Sequence, residues 1–395
     1  MAEIITNKAE SKTERADNSV LKKLLQNKGG FDYPLFFVVV ITVIFGCVMV
    51  YSASHYNGLV HYGDRFFFLR KQIIGALIGL VCLFIVSYID YNRLKKLKYT
   101  GFIVATVMLA MVFLPVIGVE NYGARRWINL GFFTFQPSEL AKFTFVLFAA
   151  VHMADHYKRV GTFLGILPVL ITGGITCVLI ILEPNLSITV VVGLTMLLML
   201  FIGGAKARHF IIIALPLLVA LPVLIVMEPY RINRMMAFIN PWASPRGEGF
   251  QLIQSFYSLG SGGLFGVGLF NSRQTMLFLP FSESDFILSI IGEELGFVGI
   301  MFVFALFFIV ILRGIRIALS APCRFSSYLA SGIVGVIALQ ALVNIAVVTG
   351  TIPPTGLPLP FISAGSSSLV VFMSAVGILL NIGRQARRRL PTANE

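Results

Sequence analysis

Asp285 is the acid best placed to do chemistry in this chain. It follows Glu283 and Ser284 and leads straight into the apolar run Phe-Ile-Leu, so it stands at the mouth of a long hydrophobic segment. A carboxylate there can accept a proton from an attacking hydroxyl as a general base. Asp is also a favoured helix N-cap, and the two roles are compatible. The polar loops also hold Arg125, Arg126 and Trp127, then Arg231, Arg234, Arg246 and Arg273. Guanidinium forks match phosphate oxygens bidentately, so the set suits a pyrophosphate-bearing lipid. Snorkelling to ordinary headgroups is the competing reading, stronger for any single arginine than for the set.

Ionisable residues inside apolar segments are costly and therefore candidates as well. Glu139 and Lys142 are three apart and share a helix face, which fits a structural ion pair as well as a substrate contact. Glu293 and Glu294 lie about two turns into the segment after Asp285, roughly 10–12 Å below it on a helix. Adjacent residues diverge on a helix, so at most one of them points into a shared cavity and either can instead bond a neighbouring helix. The glycine-rich stretch 260–268 lacks the Lys-Ser/Thr ending of a nucleotide loop and reads as tight backbone packing. Five scattered histidines and four cysteines without a C-x-x-C pair predict no zinc or redox site.

The elements that must position these residues are membrane helices. Of 395 residues, 57% are hydrophobic and 12% charged, which excludes a water-soluble fold. The net charge of +13 comes from short basic clusters between apolar runs rather than from a nucleic-acid surface. Ten segments approach the roughly 20 apolar residues needed to span a bilayer. They lie near 34–54, 72–90, 100–118, 138–154, 162–182, 186–204, 209–228, 286–312, 326–350 and 367–383. Alternate gaps collect Lys22, Lys23 and Lys28; Arg93, Lys95, Lys96 and Lys98; Lys158 and Arg159; Lys206 and Arg208; Arg313, Arg316 and Arg324; and Arg384 with Arg387, Arg388 and Arg389. These basic gaps are cytoplasmic, as are both termini. The expected fold is thus an all-α polytopic membrane protein of about ten transmembrane helices. A cytoplasmic tail over 1–33 precedes a single membrane domain over 34–383, and a basic tail over 384–395 follows. The loops 119–137, 183–185, 229–285 and 351–366 face outward, and the longest, between helices 7 and 8, is expected to fold back as short interfacial helices.

With Asp285 and the arginines assigned to the outer face, the longer motifs can be compared with known families. Gly123-Ala-Arg-Arg-Trp-Ile-Asn-Leu-Gly followed by Gln136-Pro-Ser-Glu-Leu-Ala-Lys142 resembles the FtsW/RodA/SpoVE family of cell shape, division and sporulation proteins. Three further blocks agree in order: Gly249-Phe-Gln-Leu-Ile-Gln-Ser255, Asp285-Phe-Ile through Gly292-Glu-Glu-Leu-Gly296, and Thr355-Gly-Leu-Pro-Leu-Pro-Phe-Ile-Ser363. Within the family, Asn240-Pro-Trp242 and the long basic N-terminal tail look more like FtsW than RodA, with SpoVE close behind. Glu183-Pro-Asn-Leu-Ser187 departs from the usual Gln-Pro-Asp-Leu-Gly, and Ser363-Ala-Gly-Ser-Ser-Ser368 from Ser-Tyr-Gly-Gly-Ser-Ser. Phe281-Ser-Glu-Ser stands before the aspartate where Pro-Glu-Ala-His-Thr is common.

The resemblance implies a glycosyltransferase of the bacterial cytoplasmic membrane. It would polymerise lipid II, an undecaprenyl-pyrophosphate disaccharide-pentapeptide, with a class B penicillin-binding protein and other divisome proteins as partners among membrane lipids. Asp285 then matches the catalytic aspartate, and Arg126, Trp127 and Lys142 match residues around the same outer cavity. Arg231, Arg234, Glu293 and Ser363 complete the expected substrate-binding set. An α-linked donor giving a β-linked polymer implies one inverting displacement. No cofactor is built into the chain, and a divalent cation, Mg2+ or Mn2+, arriving with the pyrophosphate is the one left open. A lipid II flippase and a scaffold that only recruits are the rival readings. A transporter would place its polar residues near the midplane, on interrupted helices and repeats.

Overall fold

The computed structural model describes residues 31–388 except 116, 122–123, 130, 132–133 and 227–228, with only the backbone for a few more, Arg231 and Arg387 among them. The expected tails fall on 1–30 and 389–395, outside the described residues, apart from their inner ends. Twelve α-helices are described: α1 (Tyr33–Tyr62), α2 (Phe67–Tyr88), α3 (Lys98–Met111), α4 (Pro137–Asp155), α5 (Phe163–Leu182), α6 (Leu186–Ile202), α7 (Ala207–Val226), α8 (Pro229–Ile239), α9 (Phe250–Ser261), α10 (Ile287–Leu319), α11 (Arg324–Val348) and α12 (Ser366–Arg388). Ten of them coincide with the ten expected segments. Six are long and apolar enough by themselves to cross a membrane: α1, α2, α5, α10, α11 and α12. The helices α8 and α9 are the short elements of the external loop 229–285.

The helical membrane fold is as expected, with one addition and one corrected boundary. In the loop before α4, β1 (Gly118–Asn121), β2 (Ala124–Asn129) and β3 (Thr134–Phe135) form a small antiparallel sheet in the order β1-β2-β3. The third span, expected to reach 118, ends at Met111. Turns then lead from α3 into β1, where the Ile117 carbonyl accepts from the Asn129 amide at 3.0 Å. Hairpin pairing with 124–129 uses this segment's backbone groups in place of further helix.

Contacts sort the loops onto two faces, as the alternation of basic and other gaps predicts. On the basic face, Arg313 forks onto Asp32 at 2.8–3.1 Å, Lys98 reaches Asp155 at 3.3 Å, and Arg324 stacks 3.5 Å over the Tyr157 ring. On the opposite face, Arg126 meets the α5–α6 turn and Arg234 meets the segment before α12. Helices in lipid gain little from hydrophobicity and associate through close packing of small residues. Gly75 and Gly79 of α2 supply this: a Cβ would come within 2.8 Å of Ser366 Cα at the first and 2.6 Å of Met373 Sδ at the second. The α2 backbone thereby lies directly on α12.

The ends of the helices follow from their residues. Asp32 accepts from the Leu35 amide at 3.0 Å to cap α1, Thr162 caps α5 through Gly165, and Asn185 caps α6 through Ile188. The helix α10 breaks at Gly296, whose φ of 67° and ψ of −161° are open only to glycine. The break leaves backbone groups that the 262–268 stretch satisfies. Val267 and Gly268 amides donate to the carbonyls of Glu293 and Glu294 at 2.9 and 3.0 Å, while Phe297 and Val298 donate to Gly263 and Leu264 at 2.9 and 3.1 Å. Gly262 lies so close that a Cβ would sit 1.8 Å from the Gly292 carbonyl oxygen. Tight packing, as its composition suggests, is what the glycine stretch provides.

Candidate active site on the outer face

Asp285 precedes Phe286, the N-cap of α10, and no side chain caps that helix. Its carboxylate is therefore not occupied by capping. Its neighbours hold it from behind. Asn344 of α11 donates to the Asp285 carbonyl at 2.8 Å and to the Leu357 carbonyl at 2.7 Å. Ser363 donates to the Ser284 carbonyl at 2.5 Å and accepts from the Leu359 amide at 2.8 Å. A Cβ on Gly356 would come within 2.9 Å of Asp285 Oδ2, so a larger residue there would have to displace the carboxylate. Backbone at this turn is thus fixed by two side chains from different elements, which defines where the acid points.

The electrostatics are mixed. Burial pushes the Asp285 carboxyl up to about 6, against the opposing pull of Arg234 and then Arg126, while the Glu283 charge adds to the rise. The Glu283 carboxyl is also raised by burial, although Ser282 at 3.3 Å and Asn57 at 3.1 Å bond it. A carboxyl poised near neutrality and under the pull of two guanidinium charges suits a base that must take and release a proton.

Each arginine is placed by backbone. Between Val119 and Glu120 β1 advances one residue, while β2 advances two, from Trp127 to Arg125, so the bulge falls at Arg126. Bulges re-aim side chains. Here the Arg126 Nε donates to the Glu183 carbonyl at 3.3 Å and Nη2 to the Pro184 carbonyl. Its neighbour Arg125 pairs with Glu120 at 3.2 Å. Trp127 is half-buried and in register with Val119. On α8, Arg234 donates to the Pro354 carbonyl at 3.0 Å and lies 3.9 Å from Glu248. Arg231 belongs to the same helix, and its side chain lies outside the described residues. Arg246 and Glu248 line a neighbouring external cleft of about 680 Å³ with Asn233, Asn240 and Gln251.

Lys142 and Glu139, both buried, form the ion pair expected from their spacing, at 3.0 Å. Ser368 also donates to Glu139 at 2.9 Å. Lys142 donates to Gln340 Oε1, and Gln340 passes the connection on to the Pro358 carbonyl at 3.0 Å. Gln340 and Asn344 are one turn apart on α11, so α4 is linked through a single helix face to the turn that carries Asp285. Glu293 lies elsewhere: it accepts from Ser272 at 2.6 Å, Ser258 at 3.2 Å and the Arg273 amide at 3.0 Å, which fastens the loop 272–273 to α10. Glu294 instead accepts from Ser52 of α1 at 2.5 and 2.7 Å. The two acids diverge as adjacent helical residues must.

Asp285 thus feels the charges of Arg234 and Arg126, Ser363 bonds the backbone beside it, Lys142 connects to its turn only through Gln340 and α11, and Glu293 is set apart. Sequence reasoning passed over Gln340 and Asn344, whose amides in an otherwise apolar span were the available signal, and Gln72. Gln72 donates to the Ser363 carbonyl at 3.1 Å and accepts from Gly365 at 3.2 Å. Glu183 stands where the family pattern usually has Gln. It is fully buried, and neither carboxylate oxygen has a hydrogen-bond partner among the described residues. Burial pushes its carboxyl up to about 8, opposed by Arg126.

Comparison with known proteins bears on what this geometry is for. The family model described as a cell cycle protein, covering FtsW, RodA and SpoVE, matches residues 33–388. Stage V sporulation protein E of Bacillus subtilis is 40% identical over 90% of this chain and 98% of its own length. A probable peptidoglycan glycosyltransferase FtsW of Geobacter is 37% identical over 91% and 98%. Among solved structures, a chain from a peptidoglycan synthase complex that coordinates polymerization and crosslinking superposes with a TM-score of 0.75 at 29% identity, covering 90% of this chain and 98% of that one. The rod shape determining protein RodA of Thermus thermophilus gives 0.66 at 27% identity over 90% and 97%.

Proposed function

The chain belongs to the FtsW/RodA/SpoVE family of multi-pass bacterial membrane proteins, and from that premise we propose that it polymerises lipid II into glycan strands on the outer face of the cytoplasmic membrane, with Asp285 as general base. The supporting observation is the Asp285 carboxyl, raised by burial to about 6 against the opposing charges of Arg234 and Arg126. Asp285 takes the proton of the acceptor sugar hydroxyl as its oxygen attacks the anomeric carbon of the donor. The bond from that carbon to the pyrophosphate oxygen breaks, and the undecaprenyl pyrophosphate leaves with the electron pair. Arg126 and Arg234 stabilise the charge that develops on the leaving group. One displacement inverts the anomeric centre and needs no covalent enzyme intermediate. Lys142 holds α4 against α11 behind the base, and Ser363 fixes the backbone beside it.

Among the described residues no three His, Cys, Asp or Glu side chains converge as metal ligands. In this reading a Mg2+ or Mn2+ ion arrives with the pyrophosphate. A class B penicillin-binding protein supplies crosslinking in this reading, in keeping with the synthase complex to which a structural relative belongs. Asn240-Pro-Trp242 supports a division role. The 40% identity to the sporulation protein favours a sporulation polymerase as the second reading. The test is polymerisation of purified lipid II by the purified protein with and without its penicillin-binding partner. Glycan chains are expected, longer or faster with the partner. Lipid II flipping in vesicles without polymerisation would refute the enzyme reading.

A further inference from the structure

Glu183 has no part in the mechanism above, yet it is a completely buried acid at the turn that Arg126 grips. Arg126 spends two donors on the carbonyls of Glu183 and Pro184 and none on the Glu183 carboxyl, whose two oxygens have no hydrogen-bond partner among the described residues. An ionised carboxylate in that position would be a desolvated charge beside a guanidinium, and the two would be drawn together strongly. We propose that Glu183 is a positioning residue for Arg126: as a neutral acid it leaves the guanidinium's charge available to the phosphate groups of the lipid-linked substrate, and as a carboxylate it draws that charge back. The role rests on the function proposed above and assigns Glu183 no contact with substrate, consistent with its burial.

The surrounding charges support this assignment. Neither α5 nor α6 carries an Asp, Glu, Lys or Arg, and Cys177 of α5 lies nearly two turns back, next to the Thr189 carbonyl at 3.8 Å. On α4, which packs on both helices, Glu139 and Lys142 are engaged with each other. The charged residues of α3 and α11, Lys98 and Arg324, lie at the cytoplasmic ends. Arg126 from β2 acts on Glu183 directly, and Asp285 lies beyond it. Glu183 gains its charge near pH 8, well above Asp285, so its ionisation is read as an alkaline limb on binding.

The experiment measures Kd for undecaprenyl pyrophosphate from pH 7 to pH 9.5 on the full chain in detergent, with the KM for lipid II alongside. In the wild type Kd is expected to rise about tenfold from pH 7 to pH 9, as the neutral fraction of an acid with pKa about 8 falls from about ten in eleven to one in eleven. In Glu183→Gln the ratio of the two values is expected to stay near one, whatever its value at pH 7. Arg126→Ala, binding weakly throughout, is expected to lose the same dependence and carries the test if Glu183→Gln does not fold. A flat wild-type profile, or an undiminished rise in Glu183→Gln, overturns the proposal. Phosphatidylglycerol vesicles form the control: an equal alkaline loss there would show Arg126 reading any headgroup phosphate, against the substrate-directed role. A wild type that neither binds undecaprenyl pyrophosphate nor polymerises lipid II refutes the proposed function itself. One that does both without an alkaline limb refutes only the role of Glu183.

Discussion

Replacing Asp285 by Asn separates base catalysis from architecture. The amide keeps the size of the side chain, and the turn is held by bonds to backbone, from Asn344 to the Asp285 carbonyl and from Ser363 to the Ser284 carbonyl. General bases contribute about 10²- to 10⁴-fold, so kcat should fall by that factor, about 3–5 kcal/mol of barrier. The wild type should show the matching acid limb. With the carboxyl at about 6, about one site in eleven is ionised at pH 5, and the rate there should be about tenfold below its plateau. Stability should move the other way. A carboxyl whose folded pKa lies above its unfolded value favours folding as pH falls through the window from 3.8 to about 6, and its ionised form costs stability above that window. Asn removes the cost, so Asp285→Asn should melt no lower than wild type at pH 7.5. Asp285→Glu should recover little activity, because one extra methylene displaces the carboxylate from an acceptor hydroxyl that it must reach within hydrogen-bond distance. The assay is chain formation from purified lipid II, run with a thermal melt of each variant. A folded Asp285→Asn within about threefold of wild type, or a wild-type rate flat from pH 5 to pH 7, would falsify the base assignment.

Arg126→Ala should raise KM for lipid II well beyond Arg93→Ala, since only Arg126 reaches the site; equal effects in a reconstituted assay would deny it a special role. Lys142→Met should cost about 3–5 kcal/mol by leaving Glu139 buried and unpaired, read as a lower melting temperature, and the double variant with Glu139→Gln should recover much of the loss. Gly296→Ala should destabilise by about 1–3 kcal/mol from its positive φ alone. More should follow from a Cβ 2.4 Å from the Gly266 nitrogen, again measured by melting. A reporter inserted near Gly247 should be external and one fused at the C-terminus cytoplasmic, and a periplasmic C-terminal signal would break the ten-span topology.

The spans and their orientation were legible because bilayer thickness and basic loops leave a direct imprint on composition. The Glu139–Lys142 pair was legible from spacing, although spacing could not say whether the pair was structural. The antiparallel sheet was hidden because its strands are only two to six residues long and carry no alternation long enough to read. Asp285 could be picked out as an acid at a helix mouth. The residues that hold it, Gln72, Gln340, Asn344 and Gly356, lie up to 213 positions away, and no local pattern links them to it. For Glu293 the sequence left two readings open, because an acid within an apolar segment signals unusual surroundings without naming them, and here it bonds Ser272 and the Arg273 amide of a neighbouring loop.

The interruption at Gly296 divides α10 into a short strut of nine residues and a longer rod, and the glycine stretch bridges the two through Glu293 and Glu294 before the break and Phe297 and Val298 after it. Bilayers differ in thickness by several ångströms, and helices respond by tilting. A continuous helix would transmit that tilt to whatever sits at its tip. In this chain the turn that carries Asp285 is held by Asn344 of α11 and by Ser363, not by the long remainder of α10, so its anchorage is to neighbouring elements rather than to one continuous spanning rod.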